Sequence, residues 1–276
     1  MRSILIIAGK EIRDGMRNRW VVATTLLLAA LALTLAFLGA APTGMVKVSP
    51  LEITIVSLSS LTIFLLPLIA LLLSYDAIVG EIDRGTMALL LAYPVSHLEV
   101  ILGKFAGHLV VLSFATILGY GAAGAAIALT GPAIGPESWR AFAAMIGSSV
   151  LLGAAFISLG YFISTVVRDR GTAAGIAIGV WLVFVLLYDM ALLGLLVADQ
   201  GKMVTVGMLN WLLLLNPADA YRLLNLTGFA NVSMFAGMAG LAEQARFTQP
   251  ALVVALSGWV VLPLGLATAL FARRQL

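Results

Sequence analysis

The sequence predicts an all-α integral membrane protein with six transmembrane helices. Of its 276 residues 62% are hydrophobic and only 11% are charged, and the mean hydropathy is +1.08. A soluble domain of this length could not hide that much apolar surface in one core. The apolar residues also fall into six runs, each near the about 20 residues that cross a bilayer as a helix: 20–41, 54–75, 105–130, 143–166, 173–198 and 251–271. Residues 1–276 read as a single transmembrane domain with two non-spanning inserts, 76–97 and 199–250. There is no cysteine, which excludes disulfides and thiolate metal sites. Nothing in the chain suggests nucleic-acid binding.

The basic residues set the direction. Lys and Arg number five in 1–19 and two each in 76–104, 167–172 and 272–276, hence 5 + 2 + 2 + 2 = 11 on one side. The other side has one in 42–53, one in 131–142 and three in 199–250, hence 1 + 1 + 3 = 5. The positive-inside rule then places both termini in the cytoplasm. The first run is too long, and its flank too extended, for a signal peptide.

Residues 2–18 precede the first span. Ile4, Leu5, Ala8, Ile12 and Met16 share a helical face, and Lys10, Arg13, Asp14 and Arg17 lie largely elsewhere. This is the pattern of an amphipathic helix on the membrane surface. Capping signals mark later boundaries. Ser49-Pro50-Leu51-Glu52 starts the second helix near Pro50, Ser96-His97-Leu98-Glu99 starts the third near His97, and Asn216-Pro217-Ala218-Asp219 repeats the logic in the outer insert. Between Tyr75 and His97 the chain therefore sits at the cytoplasmic surface. Thr86 is placed to cap a short apolar helix, Met87–Tyr93, which Pro94 closes.

The pattern Glu81…Gly85-Thr86…Leu89-Leu90…Pro94…Ser96…Gly103-Lys104 resembles the cytoplasmic coupling region of the type two permeases of ABC transporters. The stretches NRW at 18–20, PLIALLLSYDAIVGE at 67–81 and LLLLNPADAYRLLNLTGF at 212–229 resemble, more narrowly, the permeases that serve nitrous oxide reductase maturation. The resemblance implies a homodimer, a cytoplasmic ATPase dimer docked on the coupling helix, a periplasmic partner on the outer face, and a role in assembling the enzyme's copper centres. The chain has no G-x-x-x-x-G-K-[ST] and cannot cradle nucleotide by a P-loop. It is expected to be non-catalytic and to bind no cofactor, with ATP and magnesium held by the partner ATPase. Glu81, Asp83, Arg84, Gly85, Thr86, Leu89, Leu90 and Pro94 are the expected coupling residues, their apolar face in a groove of the ATPase and their charges at its rim.

Three further features stand out. Asp189 lies inside the fifth span, where a carboxylate is costly and either functional or paired. Gly171, Gly175 and Gly179 recur every four residues at that span's inner end, a packing stripe for a second copy or for a neighbouring helix. In the outer segment Trp211, Asn216, Asp219, Tyr221 and Arg222 are expected to face the periplasmic partner, with Asp219 and Arg222 paired at i,i+3 and Trp211 and Tyr221 in the interfacial belt. Pro67 and Pro263 are expected to kink the second and sixth spans. Met203, Met208, Met234 and Met238 have thioethers suited to copper(I) but read as packing residues; with His97 and His108 they supply too few ligands for a metal pathway. Rival readings are an ABC exporter of a lipid, drug or sulfur compound, and a passive membrane scaffold. A secondary transporter is disfavoured by the few ionisable groups in the spans and the lack of an internal repeat.

Overall fold

A computed structural model describes residues 2–38, 50–130, 134–199, 205–226 and 247–274. It is helical, as expected. The surface helix α1 (Arg2–Arg17) meets α2 (Arg19–Leu38) at a bend of 67°. There follow α3 (Pro50–Ser74), two short helices α4 (Val79–Asp83) and α5 (Thr86–Leu91), and the long α6 (His97–Thr130) and α7 (Pro136–Val166). The fifth span is α8 (Arg170–Leu182), a π-helical turn (Val183–Leu187) and α9 (Tyr188–Asp199). The outer segment contributes α10 (Val206–Leu214) and α11 (Pro217–Leu226), and the sixth span is α12 (Gln249–Arg273). Five helical stretches are long and apolar enough to cross a membrane, and the bent α1–α2 pair makes a sixth. The end bearing α1, α4 and α5 is called inner, after the basic-residue asymmetry, and the end bearing α10 and α11 outer.

Central in the bundle is α7, packed against α3, α6, α11 and α12. Its inward face is small and polar as well as apolar: Ser148, Ser149, Leu152, Gly153, Phe156, Gly160 and Tyr161 are all buried. Several buried hydroxyls find partners within the bundle. Thr62 and Tyr120 share a hydrogen bond of 2.6 Å, and Ser149 and Tyr221 one of 2.9 Å. These bonds tie α3 to α6 and α7 to α11, replacing water that the bilayer does not supply.

The capping signals work as read, with one correction. The Ser96 hydroxyl accepts from the Glu99 amide, and the Glu99 carboxylate accepts from the Ser96 amide. Asn216 accepts from the Ala218 amide at the start of α11. Ser49 lies outside the described residues. The short helix expected over Met87–Tyr93 spans Thr86–Leu91, and Thr86 does not cap it; its hydroxyl donates back to the Glu81 carbonyl. The position before the helix belongs to Gly85, at φ +71°, a left-handed conformation that glycine adopts without strain. Helices run through both Pro67 and Pro263. One turn before Pro67 the carbonyl of Phe64 accepts the Trp181 indole N–H at 2.9 Å, a partner from the fifth span where proline loosens the helical ladder.

The face of α1 that meets the bundle differs from the expected stripe. Ile7, Ala8 and Glu11 are buried against α6, whereas Leu5 is 72% and Met16 42% exposed. The reason is on α6. A methyl group at Gly103 would strike Ile7, and one at Gly107 would strike Glu11 and the Ala8 carbonyl. Two glycines a helical turn apart thus let the α1 backbone lie directly on α6. That contact fixes which residues of α1 point inward, and one of them is a glutamate.

A charged cluster beneath the bundle as candidate functional site

The segment 76–97 is joined to four neighbouring helices. Ser164 of α7 accepts from the amides of Ile78 and Val79, both at 3.0 Å, so the first turn of α4 is capped by another helix. Asp76 accepts from Arg170 at the start of α8 at 2.7 Å. The third attachment reaches α6 and α1 together and is the chemically dense one.

Lys104 is 2% exposed, and its ammonium donates to Glu11 and to Glu81, both at 2.7 Å. Lys10 donates to the same two oxygens from the solvent side, both at 3.1 Å. Two carboxylates and two ammoniums balance. His108, one turn beyond Lys104 on α6, sets Nε2 3.5 Å from the other Glu11 oxygen, and its Nδ1 lies 3.0 Å from the hydroxyl of Tyr161 on α7. Burial alone would raise the Glu11 pKa, but the bond with His108 and the charge of Lys104 outweigh it and hold the carboxyl well below its usual range. The cluster therefore joins α1, α4 and α6 through charged hydrogen bonds around the buried Lys104, and reaches α7 through the Tyr161 hydroxyl on His108; breaking a buried partner here is far costlier than in solution.

Glu81 was expected at the rim of a partner groove. It lies 6% exposed inside this cluster instead, because the turn that ends α3 folds α4 back beneath the start of α6. The other expected coupling residues divide. Asp83, Arg84, Gly85, Thr86 and Pro94 are exposed, and Leu89 and Tyr93 are each 68% exposed. Leu90 turns inward onto the core, beside the buried Met87. The short helix thus holds the bundle with one face and leaves an apolar tip, flanked by Asp83 and Arg84, bare. Sequence reading missed Lys104, Glu11, Lys10, His108 and Tyr161 as a group. The legible signals were a lysine and a histidine at i,i+4 on an apolar helix, and a glutamate at i+4 from Ile7 on the same stripe as Ala8.

A second polar centre lies toward the outer end. Arg222 of α11 donates to Asp189 at 2.7 Å and to Asp219 at 2.6 Å. The expected Asp219–Arg222 pair is present, and Arg222 supplies the partner of the intramembrane Asp189. The π turn just before Asp189 bears on this contact: the Phe184 carbonyl within it accepts from Asn216 at 2.9 Å, and Tyr188 donates to the Leu212 carbonyl. Asn216, Asp219 and Tyr221 were expected to face a periplasmic partner. They are 0%, 1% and 0% exposed, since the Asn-Pro start aims α11 into the bundle, where its polar side chains close the π turn and meet Ser149. Arg222 is largely covered as well, and of the five only Trp211, at 72%, stands free. One arginine serves two carboxylates. Burial first, and the neighbouring Asp189 charge, push the Asp219 pKa up to about 7.

Among the described residues the glycine stripe packs against no neighbouring helix. Nothing lies within 4 Å of where a Cβ on Gly175 or Gly179 would be, and Gly171 meets only its own Asp169. The fifth span is the least covered of the five, 11% buried over its most apolar window. Met208 is exposed on α10, and Met203, Met234 and Met238 lie outside the described residues. His97 packs edge-on against Phe271. Among the described residues no three His, Asp or Glu side chains group as metal ligands.

A six-helix apolar bundle with a short helix fastened beneath it and no nucleotide loop of its own has the build of a transporter's membrane subunit. The chain belongs to the ABC-2 transporter family, whose model, described as "ABC-2 family transporter protein", matches residues 5–276. It is similar to two curated proteins, each named "Probable ABC transporter permease protein NosY". One, from Stutzerimonas stutzeri, is 46% identical over 276 residues, 99% of each chain. The other, from Pseudomonas aeruginosa, is 46% identical over 277 residues, 100% of each chain. The chain is thus a multi-pass membrane permease subunit of an ABC transporter.

Two outcomes follow from the charged centres. Lys104→Met leaves two buried carboxylates sharing the half-exposed Lys10 and should cost up to about 3–5 kcal/mol, whereas Lys104→Met with Glu11→Gln and Glu81→Gln should recover most of it; thermal unfolding of the detergent-solubilised chain measures both. For Asp219 the folded pKa, about 7, lies above the unfolded value near 3.8. Its protonated form is favoured by folding, so its contribution is complete below about pH 3.8 and is lost as pH rises to about 7. The unfolding temperature should fall across that window, and Asp219→Asn should flatten the fall.

Proposed function

We propose that this chain couples ATP hydrolysis by a separate cytoplasmic ATPase dimer to a periplasmic partner, and that the system serves copper-centre assembly in nitrous oxide reductase. The similarity to proteins named NosY over the full chain supports that setting. The partners are then NosF-like and NosD-like proteins, and ATP and magnesium sit in the ATPase. The observation that carries the coupling role is the short helix α5. Leu89 on it and Tyr93 just past its end are bare, while the segment around it is fastened to α1, α6, α7 and α8. A push on an exposed apolar tip reaches four helices at once through bonds that resist shear.

The chain acts as a homodimer in the inner membrane with both termini cytoplasmic. The uncovered face of the fifth span supports pairing there: its glycines permit a close second helix, and a mostly bare apolar span suits protein or lipid on its outer side. At the outer end the α10–α11 hairpin is bonded to the π turn of that same span. Motion of the fifth span therefore moves the hairpin, and with it Trp211.

Charge at the tip tests the reading. Leu89→Glu with Tyr93→Glu should abolish co-purification of the ATPase, and nitrous oxide reductase from the same cells should be copper-deficient while the permease remains folded in the membrane. Full ATPase retention would overturn the docking assignment. A copper-replete enzyme from cells deleted for the permease would remove the copper role and favour export of another substrate.

A further inference from the structure

At the inner end, between the last turns of α7 and α12, lies a cleft of about 550 Å³ lined by Thr165, Val166, Arg168, Leu270, Arg273 and Arg274. We propose that it binds the headgroup of an anionic phospholipid of the cytoplasmic leaflet. Three of its six lining residues are arginines and none is acidic. The nearby carboxylates are committed elsewhere. Asp169 accepts from the amide and hydroxyl of Thr172 as the cap of α8, and Asp76 is taken by Arg170. Among the described residues no carboxylate pairs with Arg168, Arg273 or Arg274. Arg274 is held in place by donating to the Thr165 carbonyl at 3.1 Å, which spends one of its five N–H groups and none of its charge.

The other wall of the cleft is apolar. Val166 is 57% and Leu270 39% exposed, and both stand on the membrane side of the arginines along their helices. A free phosphate would engage the guanidiniums and leave that wall bare. A phospholipid satisfies both halves, with phosphate oxygens against planar guanidiniums and the first acyl carbons against Val166 and Leu270. The position, at the inner boundary of two spans, is where basic pockets meet anionic headgroups.

The test uses the full chain with its co-purifying partner in nanodiscs of phosphatidylcholine doped with phosphatidylglycerol, reading retained lipid by native mass spectrometry. Phosphatidylglycerol should be retained in preference to phosphatidylcholine. Arg168→Gln with Arg273→Gln should weaken that retention about thirtyfold, the combined share of two basic residues at a membrane surface. Neither side chain bonds to the described protein, so the bundle should stay folded, and Arg274→Lys, which keeps the charge, should retain the lipid. Unchanged retention in the double variant overturns the site. Displacement of the lipid by millimolar inorganic phosphate reassigns it to free phosphate. Loss of the ATPase with lipid retention intact would show that the arginines face a protein. None of these results touches the coupling role of α5.

Discussion

The structure depends on a buried lysine. Lys104 enters the bundle on an apolar helix, where an unpaired ammonium would carry a heavy desolvation cost. Its two carboxylate partners come from opposite directions in the chain, Glu11 from the surface helix and Glu81 from the segment below the bundle. Satisfying one cation therefore fixes the placement of two elements, which Lys10 of α1 also ties directly to each other by its bond to Glu81. Gly103 and Gly107 are the steric condition for it, because α1 must lie close enough to α6 for Glu11 to reach. In the motif by which the chain resembles its family, Gly103-Lys104 reads as two letters; in space it is one joint.

The outer end uses the same device with different parts. There the buried cation is Arg222, its carboxylates are Asp189 and Asp219, and the backbone carbonyl that needs a partner belongs to the π turn. Both joints hold a non-spanning element against spans: α4 and α1 at the inner end, α10 and α11 at the outer. Between them run α7, which touches the inner joint through Tyr161 and Ser164 and the outer hairpin through Ser148 and Ser149, and the fifth span, which meets Asp76 at one end and Arg222 at the other. Bonded contacts along these spans thus connect the two ends.

Much of the fold was legible because its determinants are local. Span length, the Ser96–Glu99 box, the Asn216-Pro217 start and the break at Tyr75 each depend on neighbours in sequence, and the structure places them as read. The Asp219–Arg222 pair was legible for the same reason, being one helical turn apart. What the sequence could not give was the partner of each charge across the fold. Glu81, read as a rim contact, and Asn216, Asp219 and Tyr221, read as facing outward, are all buried. A polar residue in a short segment looks exposed until the helix that covers it is placed. The π turn at 183–187 leaves no mark in an all-apolar run, and Leu5 and Met16 could not be told from Ile7 without the glycines of α6.

If the Lys104 joint transmits motion from α5 to the outer end, breaking it should uncouple the two. The chain has no cysteine, so a single Trp211→Cys substitution allows spin labels at the outer ends of a dimer. The decisive measurement is the distance between those labels by pulsed electron resonance, with and without ATP, in the wild-type background and in the Lys104→Met, Glu11→Gln, Glu81→Gln background with the ATPase still bound. A nucleotide-dependent distance change is expected in the first and its loss in the second. The same change in both backgrounds would contradict it.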